Sequence, residues 1–229
     1  RVTPSSRARH SAGLAMPPHP DLLDNIESGK IPVPAYLKMK PQLQKRGVNN
    51  PAKINTAEKN AYLGNFNALA VLIKFSDKIN SVNAAEFDTL IFADRQSTVR
   101  IYYGDVSYGQ LYIITVNLPS EIGWVTAPQT YAYYCNGSNG TGSYPYNTQK
   151  LCEDIINLID AQVNFADYDN DSDGDVDALI LIHSGPGAEF TGSNDDIWSH
   201  QWGIVPRIKD GVAISEYCIQ PEYWENPGD

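Results

Sequence analysis

The most continuous apolar run of the chain, Ala68-Leu69-Ala70-Val71-Leu72-Ile73-Lys74-Phe75, is short and β-branched, which predicts a strand buried on both faces. Downstream the pattern changes period. Ala84 to Phe92 and Thr98 to Tyr103 carry helical spacing, Ser107-Tyr108-Gly109 breaks it, and the β-branched residues of Leu111 to Val116 predict a second strand. Residues 124 to 147, rich in Tyr, Gly, Ser and Asn, read as a long surface excursion. In Thr148 to Val163 the apolar positions Leu151, Ile155, Leu158, Ile159 and Val163 fall on one helix face, with Thr148 as the expected N-cap. Val176 to His183 reads as another buried strand, and the looser alternation of Gly211 to Gln220 suits an outer one. The order strand, helix, strand, helix, strand, strand implies an α/β or α+β domain in which a twisted mixed sheet packs on helices.

Residues 1 to 60 have a different texture. They hold eight prolines, from Pro4 to Pro51, many basic residues and little apolar periodicity, as in an extended arm or propeptide or, equally, a solvated linker. Pro20 to Ile26 is the one short helix expected there, with Asp21 near its positive end. Lys45-Arg46 is a plausible processing site. The division expected is therefore 1–60 as arm and 61–229 as the start of a folded domain.

Composition narrows the choice of partners. Of 229 residues, 27 are acidic and 17 basic, a formal net charge of -10, so the chain is ill suited to a polyanion such as nucleic acid and better suited to cations. No run approaches the roughly 18 to 20 apolar residues of a membrane span. No apolar segment follows the early arginines, so a signal peptide is either removed or absent. Cys135, Cys152 and Cys218 are an odd count; Cys135 and Cys152 bracket the Gly/Ser/Asn-rich loop and are the better pair for a disulfide, with buried free thiols as the alternative.

The sharpest chemical signal is Asp167-Tyr168-Asp169-Asn170-Asp171-Ser172-Asp173-Gly174-Asp175-Val176-Asp177, six carboxylates in eleven residues. Like charges at such spacing repel unless solvent or a cation compensates. With Asp169 as position one, Asp171 and Asp173 fall at three and five, Gly174 at six where the loop turns sharply, and Asp177 at nine, as in the first half of an EF-hand loop. Position twelve is Ile180 rather than glutamate, so the likeness is to a half-loop. Hard oxygen donors in a flexible cage favour calcium over zinc, copper or magnesium. Asp169, Asp171, Asp173, Asp175 and Asp177 are the expected ligands. The competing reading is an acidic surface turn.

Beyond the loop, Asp175-Val176-Asp177-Ala178-Leu179-Ile180-Leu181-Ile182-His183-Ser184-Gly185-Pro186-Gly187-Ala188-Glu189, followed by Asp195-Asp196-Ile197-Trp198-Ser199-His200, resembles the immune inhibitor A-like (thuringilysin-type) metallopeptidases. Met16-Pro17-Pro18-His19-Pro20 with Gly29-Lys30, the strand Leu69 to Phe75, Val99-Arg100-Ile101-Tyr102-Tyr103 and Ser107-Tyr108-Gly109-Gln110-Leu111 support it in the family's order. The resemblance implies a secreted zincin made as a zymogen: a propeptide, then a catalytic domain whose sheet packs on a helix bearing HExxH, hydrolysing protein or peptide substrates with zinc-activated water.

Here the chain departs from that pattern. Its histidines are His10, His19, His183 and His200, and none begins an HExxH. The expectation is a fragment lacking the zinc-binding helix and inactive alone, with zinc ligands elsewhere and no catalytic residue within 1–229. His183 and His200, seventeen residues apart, are expected to be structural. Glu189 is either a calcium ligand or a loop-orienting carboxylate. Gly185-Pro186-Gly187 reads as a tight turn, and Trp198, Trp202 and Trp224 as core or rim packing. The alternative function is a calcium-stabilised extracellular binding or adhesion module without catalysis, in which the Tyr-rich stretch 131 to 146 recognises the partner. A serine hydrolase is disfavoured because His183-Ser184-Gly185-Pro186-Gly187 is not a nucleophile elbow.

Overall fold

The computed structural model describes residues 24, 26–30, 33 and 62–228. Most of the expected arm, including Lys45-Arg46 and Met16 to Pro20, lies outside the described residues. Of the short helix expected at 20–26, Asp24 and Ile26 are helical, and Ile26 packs against the main core.

The folded part is built on a five-stranded mixed sheet. In chain order the elements are β1 (Gly64–Asn67), β2 (Leu69–Lys74), α1 (Ala84–Phe87) running into a π-helical turn (Asp88–Phe92), α2 (Val99–Val106), β3 (Leu111–Ile114), α3 (Pro119–Ile122) and β4 (Val125–Thr126). They continue with α4 (Tyr131–Cys135), α5 (Thr148–Ile159), β5 (Leu179–Pro186), α6 (Ala188–Thr191), β6 (His200–Lys209) and β7 (Val212–Tyr223). The large sheet has the order β4-β2-β5-β7-β6; all neighbours are parallel except β6, which runs antiparallel to β7. β1 and β3 form a separate parallel pair. The mixed-sheet α+β architecture is the one the sequence predicts.

β2 shows why the central strands read as unbroken apolar runs. Its Leu69, Val71 and Ile73 enter a first core cluster, while Ala70 and Leu72, with Ala68 just before the strand, enter a second on the opposite face. β5 divides in the same way, with Leu179 and Leu181 in the first cluster and Ile182 in the second. Side chains alternate across a strand, so a strand covered on both sides needs apolar residues at every position. The first face is sealed by α5 through Leu151, Cys152, Ile155, Ile156 and Ile159, all fully buried, together with Trp198, Trp202 and Tyr217. On the second face Phe87, Ile91, Phe92 and Ile113 cover the β2 end, whereas Ile180 of β5 and Cys218 and Gln220 of β7 are only part-buried.

Several boundaries differ from the sequence reading, each for a local reason. Helix α5 is capped by Asn147, whose side chain accepts from the Lys150 N–H at 3.1 Å, rather than by Thr148, whose hydroxyl turns inward. The segment expected as an outer strand is β7, which pairs on both sides; the outer strand is β6. β6 was obscured by Gly203 and by Pro206, which lies where the β6–β7 register breaks between Gly203 and Arg207, a place an edge strand tolerates proline. The 124–147 stretch is not simply a surface excursion: Tyr131 and Tyr134 of α4 are buried, and Tyr134 donates to Asp154 of α5 at 2.7 Å. Cys135, Cys152 and Cys218 are free thiols, so the expected Cys135–Cys152 bridge is not formed.

Candidate metal centre

The aspartate loop hangs between a 3-10 turn (Phe165–Tyr168) and β5. The chain folds there because its own backbone N–H groups find the carboxylates. Asp169 accepts from the N–H of Asp173 at 3.1 Å and of Gly174 at 3.0 Å; Asp177 accepts from the N–H of Asn170 at 2.7 Å. Gly174 stands at φ +92, the positive-φ turn expected at position six. The loop is pinned to the sheet by Ala213, whose N–H donates to Gly174 and whose carbonyl accepts from Val176.

Two residues outside the Asp pattern complete the setting. Asn170 exchanges hydrogen bonds with the backbone of Asn67, the last residue of β1, accepting at 2.7 Å and donating at 3.0 Å. The Tyr62 hydroxyl lies between Asp177 at 2.6 Å and Asp171 at 3.0 Å, so its proton is shared by two carboxylates. Burial first, then these two neighbours, hold the Tyr62 phenol far above its ordinary range. The Asp spacing announces neither partner; the polar Asn67 flanking a buried strand was the one available signal for the first.

Of the five expected ligands the structure gathers three. One carboxylate oxygen from each of Asp169, Asp171 and Asp177 lies within 4.8 Å of the others. That is the span available around one cation with oxygens at about 2.4 Å. Asp173 and Asp175 stand outside the group; Asp173 instead accepts from the Asp175 N–H at 3.0 Å, a local turn bond. An all-oxygen, anionic donor set suits a hard cation such as calcium.

The described residues do not suit zinc. No other cluster of His, Cys, Asp or Glu among them brings three ligand atoms together. His183 and His200 are both fully buried and occupy separate strands. His200 Nδ1 donates to the Trp198 carbonyl at 2.6 Å, and its Nε2 meets the Thr148 hydroxyl at 3.0 Å, which in turn accepts from Tyr217 at 2.7 Å. His183 Nδ1 faces the Ser184 carbonyl at 3.1 Å, while its Nε2 is buried without a partner. Burial pushes both imidazoles down to about 4, so they are neutral core groups. Glu189 accepts from the Ser199 N–H and hydroxyl, which makes it a carboxylate that orients the loop before β6; burial raises its carboxyl. The turn at Gly185 has φ +82, and Trp224 packs on Phe190 at 5.6 Å.

A second feature borders the sheet. On its half-covered face a cavity of about 380 Å³ opens among Phe87, Leu90, Ile180, Ile182, Cys218 and Trp224, with Glu189 and Glu222 at its polar margin. Glu222 is already committed: its carboxylate accepts from the N–H groups of Ser81, Val82 and Gly185.

With this geometry in view, the likeness to known proteins is specific. The family model described as immune inhibitor A peptidase M6, catalytic domain, matches residues 84–222. Immune inhibitor A of Bacillus thuringiensis subsp. alesti is 24% identical over 237 residues, an alignment covering 78% of this chain and 34% of the relative. The chain thus spans about a third of the length of the curated relative it matches.

Proposed function

The chain belongs to the immune inhibitor A family of M6 peptidases, and from that premise we propose that it is the N-terminal part of a secreted zinc metalloendopeptidase acting on protein or peptide substrates. The family's catalytic-domain match over residues 84–222 is the observation that carries this reading. Residues 1–60 are then a propeptide arm, and 61–229 the first part of the catalytic domain. Because 1–229 contain no HExxH, the zinc ligands come from sequence outside these residues, and 1–229 alone do not hydrolyse peptides. The zinc-binding helix has a natural seat on the half-covered face of the sheet, over Ile180, Ile182 and Cys218, where burying an apolar stripe removes the exposed surface.

Within that domain the aspartate loop serves as a structural calcium site. Asp169, Asp171 and Asp177 supply the first ligands, and Asp173 and Asp175 join through small rotations or bridging water. A cation there replaces mutual repulsion among the carboxylates with attraction and fixes the turn that feeds β5. The adhesion-module reading shares this loop with the enzyme reading, and its recognition stretch 131 to 146 has Tyr131 and Tyr134 buried in the core rather than offered to a partner.

The deciding experiment is zinc analysis of the natural full-length product, with casein hydrolysis measured in the presence and absence of 1,10-phenanthroline. Bound zinc and chelator-sensitive hydrolysis are expected; a zinc-free, inactive full-length protein overturns the enzyme reading. The calcium assignment is checked separately by thermal unfolding: at calcium a hundredfold above its Kd, a site of this kind adds about 2.7 kcal/mol. A melting temperature that is identical in EDTA and in calcium removes it.

A further inference from the structure

The turn after α4 reads Cys135-Asn136-Gly137-Ser138-Asn139-Gly140-Thr141 and holds both Asn-Gly pairs of the chain. A glycine after asparagine is chemically exposed: without a Cβ to hinder it, the glycine N–H reaches the asparagine side-chain carbonyl carbon. By sequence the two pairs are equivalent. In the fold they are not.

Asn139 is fully buried, and its side-chain NH2 donates to the carbonyls of Ser193 at 2.7 Å and Asp196 at 3.0 Å. The nitrogen that would attack it, Gly140 N–H, donates to the Cys135 carbonyl at 3.2 Å. Asn136 is exposed, and none of the hydrogen bonds found for the described residues ties its side chain or the Gly137 N–H. Asn136 caps α4 in a left-handed conformation, φ 47 and ψ 40, at the end of a short helix where little packing resists the rotation needed for attack. Both electrophile and nucleophile are therefore free in the first pair and engaged in the second.

We propose that Asn136 is a site of spontaneous deamidation and that the fold confines this chemistry to one of two sequence-identical pairs. The Gly137 amide nitrogen loses its proton to solvent and bonds to Cγ of Asn136. The bond from Cγ to the side-chain nitrogen breaks, ammonia leaves, and a cyclic imide forms. One water then opens either imide carbonyl, giving aspartate or isoaspartate at position 136. The net change is one amide plus water converted to one acid plus ammonia. The new carboxylate arises in an already acidic corner: a Cβ placed on Gly137 would lie 3.8 Å from an Asp195 carboxylate oxygen. The isoaspartate product also adds one methylene to a turn that Asn139 clamps to residues 193–196.

The test is to hold the folded protein at mildly alkaline pH and follow both sites by peptide mapping that separates aspartate from isoaspartate. A parallel sample is kept in urea, where both pairs are exposed. Conversion at Asn136 is expected to outrun that at Asn139 by about tenfold or more in the folded sample, since the second pair must first open locally, and the two rates should converge in urea. Asn136→Gln removes the fast phase while leaving Asn139 as slow as before. Equal rates at the two sites in the folded protein, or an Asn136 that converts only in urea, overturns the proposal.

Discussion

The two faces of the central sheet are built from the same strands and have different fates. On the first, α5 contributes five fully buried side chains to the same core cluster as residues of β2, β5 and β7, and aromatic residues fill the remaining space. On the second, the cover stops after Phe87, Ile91 and Phe92, and β5 and β7 present part-buried Ile180, Cys218 and Gln220 to a cavity. Interiors are close-packed, so the first face is where stability resides; the second is where an additional element gains most by docking.

Acid should attack the closed face first. His183 and His200 both lie on it, held near 4 in the fold, against about 6.5 in an unfolded chain. As the folded value lies below the unfolded one, the unfolded chain takes up protons first when pH falls. The contribution is complete above about pH 6.5 and is lost between there and about 4, on the order of 3 kcal/mol for each ring. Urea titrations from pH 7.5 to 4.5 should show this decline, and His200→Gln should flatten part of it. A pH-independent midpoint across that window contradicts the neutral-core assignment.

Single truncations compare the faces directly. Leu181→Ala, on the closed face, should cost about 3 kcal/mol, whereas Ile180→Ala, its neighbour pointing the other way, should cost about 1 kcal/mol. Equal losses in urea unfolding would mean the second face is as well packed as the first. Thiol chemistry gives the gentlest comparison. Burial raises both thiols, Cys218 to about 11, yet Cys152 is fully enclosed on the inward side of α5 while Cys218 lines the cavity. Cys218 should alkylate ahead of Cys152 in 1–229, and become protected in a longer chain that carries the zinc-binding helix. Unchanged reactivity in the longer chain argues against that seat.

How far these features could be read from sequence follows from their range. β2 and β5 were legible because burial on both faces writes an unbroken apolar run, and the bend at Gly174 because a positive-φ turn selects glycine at a fixed place in the Asp repeat. β6 was not, because its alternation is interrupted at Gly203 and Pro206 and the strand is completed only by its partner β7. Tyr131 and Tyr134 looked like loop residues because five residues of helix carry too little periodicity to announce themselves. The spacing of the loop's aspartates marked all five as candidates, but only the fold brings Asp169, Asp171 and Asp177 together and sets Tyr62 and Asn170 among them. Contacts across a hundred positions leave no local pattern.

The register break at Pro206 has an implication for how this protein behaves in a crowd. A long flank strand offers its unpaired amides as a template on which a second molecule can polymerise. β6 blunts that invitation with a register break and a proline that has no amide to lend, while Arg207 and Lys209 are held in ion pairs with Glu153 and Asp160. At the opposite rim, β4 is two residues long and gives an incoming strand almost nothing to zip onto. Both rims thus discourage strand-by-strand fibril growth.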